Sequence, residues 1–287
     1  MSTEPEFDKH SKTYTTGHEW DGIKELNTPL PRWWLWTYIA CIVWAVGYWI
    51  LMPAWPLVSS YSKGVLGYSQ RDAVAAELKD TRNSRNVFAQ KLLSSNLETI
   101  EATPKLMEFA LASGRAAFGD NCAGCHGSGA SGSKGYPNLN DDDWLWGGTL
   151  EDIHHTITVG VRSSDDDTRE SDMPAFLTDE ILTKDQISDV ATYVMSLSDP
   201  AIKAPAGSAE IFQDNCAACH GEDAHGNRDV GAPNLTDAIW LYGGDHKTIT
   251  TTISYSRRGV MPTWAGRLDK ATIRSLAIYV HALGGGE

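Results

Sequence analysis

Twenty consecutive positions without a charge, 33–52 (WWLWTYIACIVWAVGYWILM), interrupt an otherwise mixed pattern of polar and apolar residues. A helix of that length rises about 30 Å, the thickness of a bilayer's hydrocarbon core, so the run predicts a membrane span. Trp33 and Trp34 at one end, and Trp49 and Trp55 near the other, suit the aromatic belts of the two interfaces. A cleavable signal peptide would have a shorter apolar stretch, basic residues before it and a small-residue cleavage site. None of these is seen, and 32 residues precede the run. Lys24 and Arg32 before the span balance Lys63 and Arg71 after it, so charge does not set its orientation.

After the span, Pro53, Pro56 and Gly64 break the helix. Residues 71–100 then predict one or two polar helices, with Asp72 as N-cap and a thin apolar stripe of Val74, Leu78, Phe88, Leu92 and Leu97. Such a stripe fits a solvated connector. Two stronger helical patterns follow. Thr183 and Gln186 form a capping box ahead of Ile187, Val190, Val194 and Leu197, and Asp269 caps a helix carrying Ile273, Leu276, Val280 and Leu283, stopped at Gly284. Phe118 and Phe212 mark a shorter helix earlier in each half. No alternating strand pattern stands out in this region, so the expected fold class is all-α.

The two halves are copies. GYPNLNDDDWLWGG (135–148) matches GAPNLTDAIWLYGG (231–244), DMPAF (172–176) matches VMPTW (260–264), and ISDVATYVMSL (187–197) matches IRSLAIYVHAL (273–283). The register is 94 residues at the paired cysteines, 96 at Pro-Asn-Leu, 88 at Met-Pro and 86 at the last tyrosine. A Pro/Gly-containing linker, 198–208, joins them. The expected organisation is an N-terminal segment 1–32, a transmembrane helix 33–52, a helical connector 53–103, and two repeated domains, 104–199 and 200–287.

Charge narrows the partners. The net charge is −13, of which residues 104–287 carry −12. That disfavours nucleic acid and favours a basic partner. Asp141–Asp143 and the run SSDDDTRESD (163–172) concentrate acid in the first copy, either as a solvated face or to steer that partner.

Of the five cysteines, Cys41 lies in the apolar span and the other four lie in the repeats, in NCAGCHG (121–127) and NCAACHG (215–221). Cys-x-x-Cys-His is the attachment signature of c-type haem. Two thiols three positions apart on one helical turn reach the two vinyl groups, and the following histidine lies under the iron. A structural zinc site would need a second ligand pair in each domain, and none is present. Two covalent haem c groups are therefore expected, attached through Cys122 and Cys125 and through Cys216 and Cys219, with His126 and His220 as proximal ligands.

For the sixth iron ligand, Met173 and Met261 occupy matched positions 47 and 41 residues after the proximal histidine, each followed by proline. A stiffened loop helps to hold a weak thioether on iron. His154, His155 and His246 are the rivals, and His225 reads as loop. Ligation by His and Met closes both axial positions and makes an electron carrier. Pro137 and Pro233 are placed to offer carbonyls to the proximal imidazoles, and Trp144 and Trp240 to wall the haems.

The stretch WDGIKELNTPLPRWW (20–34), the single span, WPLVSSYSKGVLGYSQR (55–71) and the tandem CxxCH domains together resemble the dihaem subunit (CcoP, subunit III) of cbb3-type cytochrome c oxidases. The resemblance covers nearly the whole chain. It implies a bacterial inner-membrane protein in an aerobic, proton-pumping respiratory complex. Such a subunit takes electrons from a donor cytochrome c and passes them to a monohaem subunit. From there they reach the haem–copper subunit that reduces oxygen. Carried over, the iron ligands are His126, His220, Met173 and Met261. The resemblance implies exchanged methionines, Met261 serving the haem of His126 and Met173 that of His220; spacing alone leaves both pairings open. The chain then has no catalytic site of its own. Since thioether attachment in bacteria is periplasmic, the N-terminus is expected in the cytoplasm and residues 53–287 in the periplasm. The rivals are a stand-alone anchored carrier of the c4 sort and a dihaem peroxidase; the second needs an open sixth position, which the paired Met-Pro loops disfavour.

Overall fold

The computed structural model describes residues 4–287. They fall into two units, one running to Arg82 and the other from Asn83 to Glu287.

The first unit carries a small antiparallel sheet, which holds the only strands among the described residues. Strands β1 (Phe7–Asp8), β2 (Thr13–Trp20) and β3 (Ile23–Leu26) lie in sequence order, with Phe7 opposite Tyr14 and Trp20 opposite Ile23. The β2–β3 turn is Asp21-Gly22, both at positive φ (50° and 83°), the two-residue hairpin turn whose twist matches that of its strands. Helix α1 (Arg32–Leu51) follows, one residue ahead of the predicted span, with no buried side chain and few polar ones. By length and composition it is a candidate membrane span. Its last carbonyls are satisfied when the chain folds back: Val65 N–H donates to Ile50 O at 2.9 Å and Leu66 N–H to Leu51 O at 3.0 Å. Gly64 makes that return possible. Its φ is +69°, and a Cβ there would lie 2.4 Å from Leu51 O.

Helix α2 (Gln70–Ser94) is the polar connector. Ser69, rather than Asp72, supplies the N-terminal hydroxyl, accepting from Asp72 N–H at 3.3 Å. Asp72 sits in the first turn, where it still complements the helix dipole. The C-terminal end of α2 packs with α3 (Leu97–Ala102) and α4 (Pro104–Asn121). Leu92 and Ile100 are fully buried there, and Phe88 stacks on Phe109 at 5.1 Å.

The remaining helices are α5 (Ala123–His126), α6 (Leu150–Val159), α7 (Lys184–Ser198), α8 (Ser208–Asn215), α9 (Ala217–His220), α10 (His246–Tyr255) and α11 (Lys270–His281). The predicted caps are present: Thr183 and Gln186 form a reciprocal capping box, and Asp269 accepts from Thr272 N–H. Packing does not follow the sequence repeats. Helix α11, which closes the second copy, packs on α4 and α6 of the first, and α7, which closes the first copy, packs on α8 and α10 of the second. Each apolar core is therefore mixed. One joins Phe118, Ile153 and Ile157 to Ile273, Leu276 and Val280; the other joins Phe212, Ile249 and Ile253 to Ile187, Val190 and Val194. Phe118 and Phe212 fill equivalent, almost wholly buried positions.

Candidate metal centres

Each CxxCH motif forms one short turn at the end of a longer helix. Cys122 links α4 to α5, and Cys216 links α8 to α9. The N–H groups of Cys125 and His126 both donate to Cys122 O (3.1 and 3.0 Å), and those of Cys219 and His220 to Cys216 O (3.1 and 3.0 Å). Gly127 and Gly221, at φ +81° and +82°, end each turn. Two thiols and an imidazole thus share one turn in each copy, and none of the four thiols is in a disulfide. Burial, helped by the neighbouring thiol of each pair, pushes Cys122 and Cys216 up to about 11. Both therefore remain protonated near neutrality.

The imidazoles of the two motifs make the carbonyl contacts that the sequence suggested. His126 Nδ1 donates to Pro137 O, and His220 Nδ1 to Pro233 O, each at 3.0 Å. A carbonyl only accepts, so the proton lies on Nδ1 and the Nε2 lone pair is free for a metal. Burial lowers the pKa of both rings, against the opposing effect of the proline carbonyls, which keeps them neutral at pH 7. The backbone carbonyls of the two histidines are held in turn. Gly132 N–H donates to His126 O and Gly226 N–H to His220 O, each at 2.8 Å. A Cβ on either glycine would lie within 2.8 Å of the Pro137 or Pro233 peptide. The composition gave no reason to single out these two glycines, yet they share the 94-residue register of the cysteines.

The methionines lie across the repeats. Met261 packs in the apolar cluster that contains Cys122, Ala123 and Trp144, while Met173 packs in the cluster that contains Cys216, Ala217 and Trp240. Backbone bonds fix both loops. Met261 pairs with Val161, Trp264 N–H donates to Ile157 O at 3.2 Å, and, at the equivalent place, Phe176 N–H donates to Ile253 O at 3.1 Å. Trp144 and Trp240 are half-buried in these clusters, and the Trp144 indole N–H donates to Gly285 O.

His246 Nε2 bonds to Ser188 O at 3.1 Å, tying α10 to α7. His225 is exposed and pairs with Asp223 at 3.2 Å, and His155 is exposed on α6. His154 is half-buried with its pKa lowered, chiefly by burial and then by Arg274.

The acidic runs divide into exposed and anchored residues. Asp142, Asp166 and Asp167 are exposed. Asp165 accepts from Thr263 Oγ1 at 3.3 Å and from Asp167 N–H at 3.0 Å, and Asp172 pairs with Arg258. Burial, then the charge of Asp237, raises Asp143 to about 6.

A paired thiol turn, an imidazole with its Nε2 free, apolar walls and a thioether in the same cluster fit haem c at each centre. Residues 12–59 match a family model described as the N-terminal domain of cytochrome oxidase-cbb3, FixP. Residues 111–198 match cytochrome c, and residues 203–280 match cytochrome c oxidase, cbb3-type, subunit III. The chain is 56% identical over 276 residues to a cbb3-type cytochrome c oxidase subunit FixP of Azorhizobium caulinodans, covering 95% of this chain and 94% of that one. It is 53% identical over 292 residues to the CcoP subunit of Cereibacter sphaeroides and 54% identical over 290 residues to the FixP subunit of a Bradyrhizobium species, with both chains covered in full in each case.

Proposed function

Because the chain belongs to the CcoP/FixP family, the electron-transfer subunit of cbb3-type cytochrome c oxidases, we propose that it carries two covalent haem c groups and relays electrons from a donor cytochrome c towards the haem–copper subunit. In this reading Cys122 and Cys125 hold one haem and Cys216 and Cys219 the other, through thioethers. His126 and His220 are the proximal ligands, and the methionines are exchanged, Met261 completing the centre of His126 and Met173 that of His220. The haem supplies a one-electron iron couple when bound. The chain's own part is to fix the two ligands, exclude water with the apolar walls, and hold the centres in one unit. The observation that carries this reading is the shared cluster of Met261 with Cys122 and of Met173 with Cys216. Family membership also favours a place in the oxidase, beside its monohaem and haem–copper subunits, over a stand-alone carrier. Attachment chemistry favours a cytoplasmic N-terminus and periplasmic haem domains.

A redox titration of Met261→Leu tests the ligand assignment. Thioether ligation favours the reduced iron, so the variant should keep its haems and lower the potential of one of them. Repeating the titration in His126→Ala identifies which. A response at the His220 haem would mean that each methionine serves its own repeat. Normal potentials and low-spin spectra in both Met261→Leu and Met173→Leu would mean that neither is a ligand. For topology, a reporter fused after Glu287 should be active in its periplasmic form; activity only in a cytoplasmic form would reverse the orientation.

A further inference from the structure

Arg162 follows α6 with its backbone in the left-handed region, φ +51°, a conformation that penalises any residue with a Cβ. Its side chain reaches both Met-Pro loops. Nε donates to Gly259 O at 2.8 Å, and Nη1 donates to Ser171 O at 3.0 Å. Gly259 lies two residues before Met261, and Ser171 lies two residues before Met173. One guanidinium therefore grips the same backbone position in both copies of the loop, using two nitrogens of a rigid fork.

The sequence register explains how it comes to do so. At the 96-residue register of the preceding helices Arg162 corresponds to Arg258, whereas the methionines match at 88. The first copy thus holds eight extra residues, 163–170, between the arginine and its loop. That insert is folded. Ser163 Oγ donates to Val159 O at 2.6 Å and Ser163 N–H donates to Thr168 Oγ1 at 3.0 Å. Arg169 pairs with Asp152 at 2.9 Å and lies over the Trp146 ring at 5.5 Å. Turning the insert outward leaves Arg162 between the loops, while Arg258 pairs with the side chain of Asp172, beside Met173.

We propose that Arg162 is a positioning residue for both methionines, so that ligation at the two centres is coupled through one side chain. The proposal rests on Met173 and Met261 being iron ligands. It predicts an asymmetry between the two arginines: freeing Arg162 removes a backbone tie from both loops at once, whereas freeing Arg258 breaks one side-chain ion pair between the loops and leaves both backbone ties in place.

The test uses the haem-loaded full chain in detergent, with Arg162→Gln, Arg258→Gln, Met173→Leu and Met261→Leu. Three readouts apply: the potential of each haem, the thioether-to-ferric-iron absorption band, and amide exchange over residues 171–177 and 259–265. Arg162→Gln should lower both potentials, weaken the band and speed exchange in both loops about tenfold, as one charge-assisted hydrogen bond is lost from each. Arg258→Gln, which leaves both of those backbone bonds in place, should change the potentials and the exchange of either loop less than Arg162→Gln does. Unchanged potentials and band in Arg162→Gln, even with lower thermal stability, would reduce Arg162 to a structural tie and overturn the proposal; so would an effect confined to one haem. Should that variant fail to accumulate, Arg162→Lys replaces the fork by a single nitrogen and should release at least one loop; wild-type potentials there would overturn the proposal as well. If the methionine variants themselves leave the potentials unchanged, the ligand reading fails. If they respond and Arg162→Gln does not, only the coupling fails.

Discussion

Val161 and Met261 exchange backbone hydrogen bonds in both directions, at 2.9 and 3.0 Å, although they belong to different sequence repeats. Together with the exchange of α7 and α11, this ties the two copies together by far more than their linker. Lys203 is exposed within that linker. Cleavage after Lys203 should therefore leave the two fragments associated in one particle with both haem spectra intact, separating only on denaturation. Fragments that part on size exclusion in native buffer would mean that each repeat folds on its own.

The mixed cores make a second, crossed prediction. Leu276 is fully buried against Phe118 and Ile157 of the first copy, and Val190 is fully buried in the core of the second. Leu276→Ala should cost about 2–5 kcal/mol and perturb the haem of His126, although Leu276 follows the other CxxCH motif in sequence. Val190→Ala, a smaller deletion, should perturb the haem of His220. Haem-specific spectra of the two variants decide this: an effect on the haem of the same repeat in each would contradict the exchange.

Gly132→Ala and Gly226→Ala should act on the proximal side. Both glycines have positive φ (+67° and +85°), and the added Cβ would meet backbone atoms of the Tyr136–Asn138 and Ala232–Asn234 segments at 2.5–2.8 Å. Relief requires the Pro137 or Pro233 carbonyl to move off the imidazole Nδ1. The expected result is a shifted potential at that haem and reduced haem incorporation, read by redox titration and haem stain. Equal potentials in wild type and variants would show that the carbonyl does not tune the ligand.

Much of this was legible in the sequence. The uncharged run gave the bounds of helix α1 to within one residue, Thr183, Gln186 and Asp269 gave the caps, and the Pro-Asn-Leu repeats gave the carbonyl partners of His126 and His220. The exchange was not legible, because the stripe of Ile273, Leu276 and Val280 has the same spacing as that of Ile187, Val190 and Val194. Either helix fits either core, and periodicity names a face without naming its partner. Arg162 was missed because its role depends on the insert that follows it. The N-terminal hairpin carried a readable signal, Asp21-Gly22 between Trp20 and Ile23, within a Thr-rich strand that has little alternation to announce it.

Asp143 predicts a pH effect. Its carboxyl titrates near 6 in the folded chain, raised by burial and then by Asp237, against an ordinary 3.8. Between about pH 4 and 6 the folded state holds more protons than the unfolded state, so stability falls as pH rises through that window and stays lower above it. Asp143→Asn should remove this penalty. The gain at pH 7 should be on the order of 1 kcal/mol, since the side chain is half-exposed and solvent screens part of the effect. It should vanish near pH 4. Denaturant midpoints at the two pH values measure the difference; a gain of equal size at both would point to packing rather than ionisation.

The acidic insert makes the last prediction, because its three consecutive aspartates have different surroundings. Asp166 and Asp167 are exposed, as is Asp142 in the other run, and are free to attract a basic donor cytochrome. Asp165 is held by Thr263, two residues beyond Met261. Neutralising Asp142, Asp166 and Asp167 together to Asn should slow donor oxidation severalfold at low salt and flatten its dependence on ionic strength, since exposed charges are screened within about 10 Å at 0.1 M salt. The haem potentials should stay unchanged. Asp165→Ala, which removes the acceptor that an Asn would keep, should do the reverse, leaving the salt dependence nearly intact while loosening the Met261 loop and shifting the potential of the haem it serves. Stopped-flow donor oxidation across a salt series, beside redox titrations of the same variants, separates the two effects. A wild-type rate indifferent to salt would make the exposed aspartates a solvated face and nothing more.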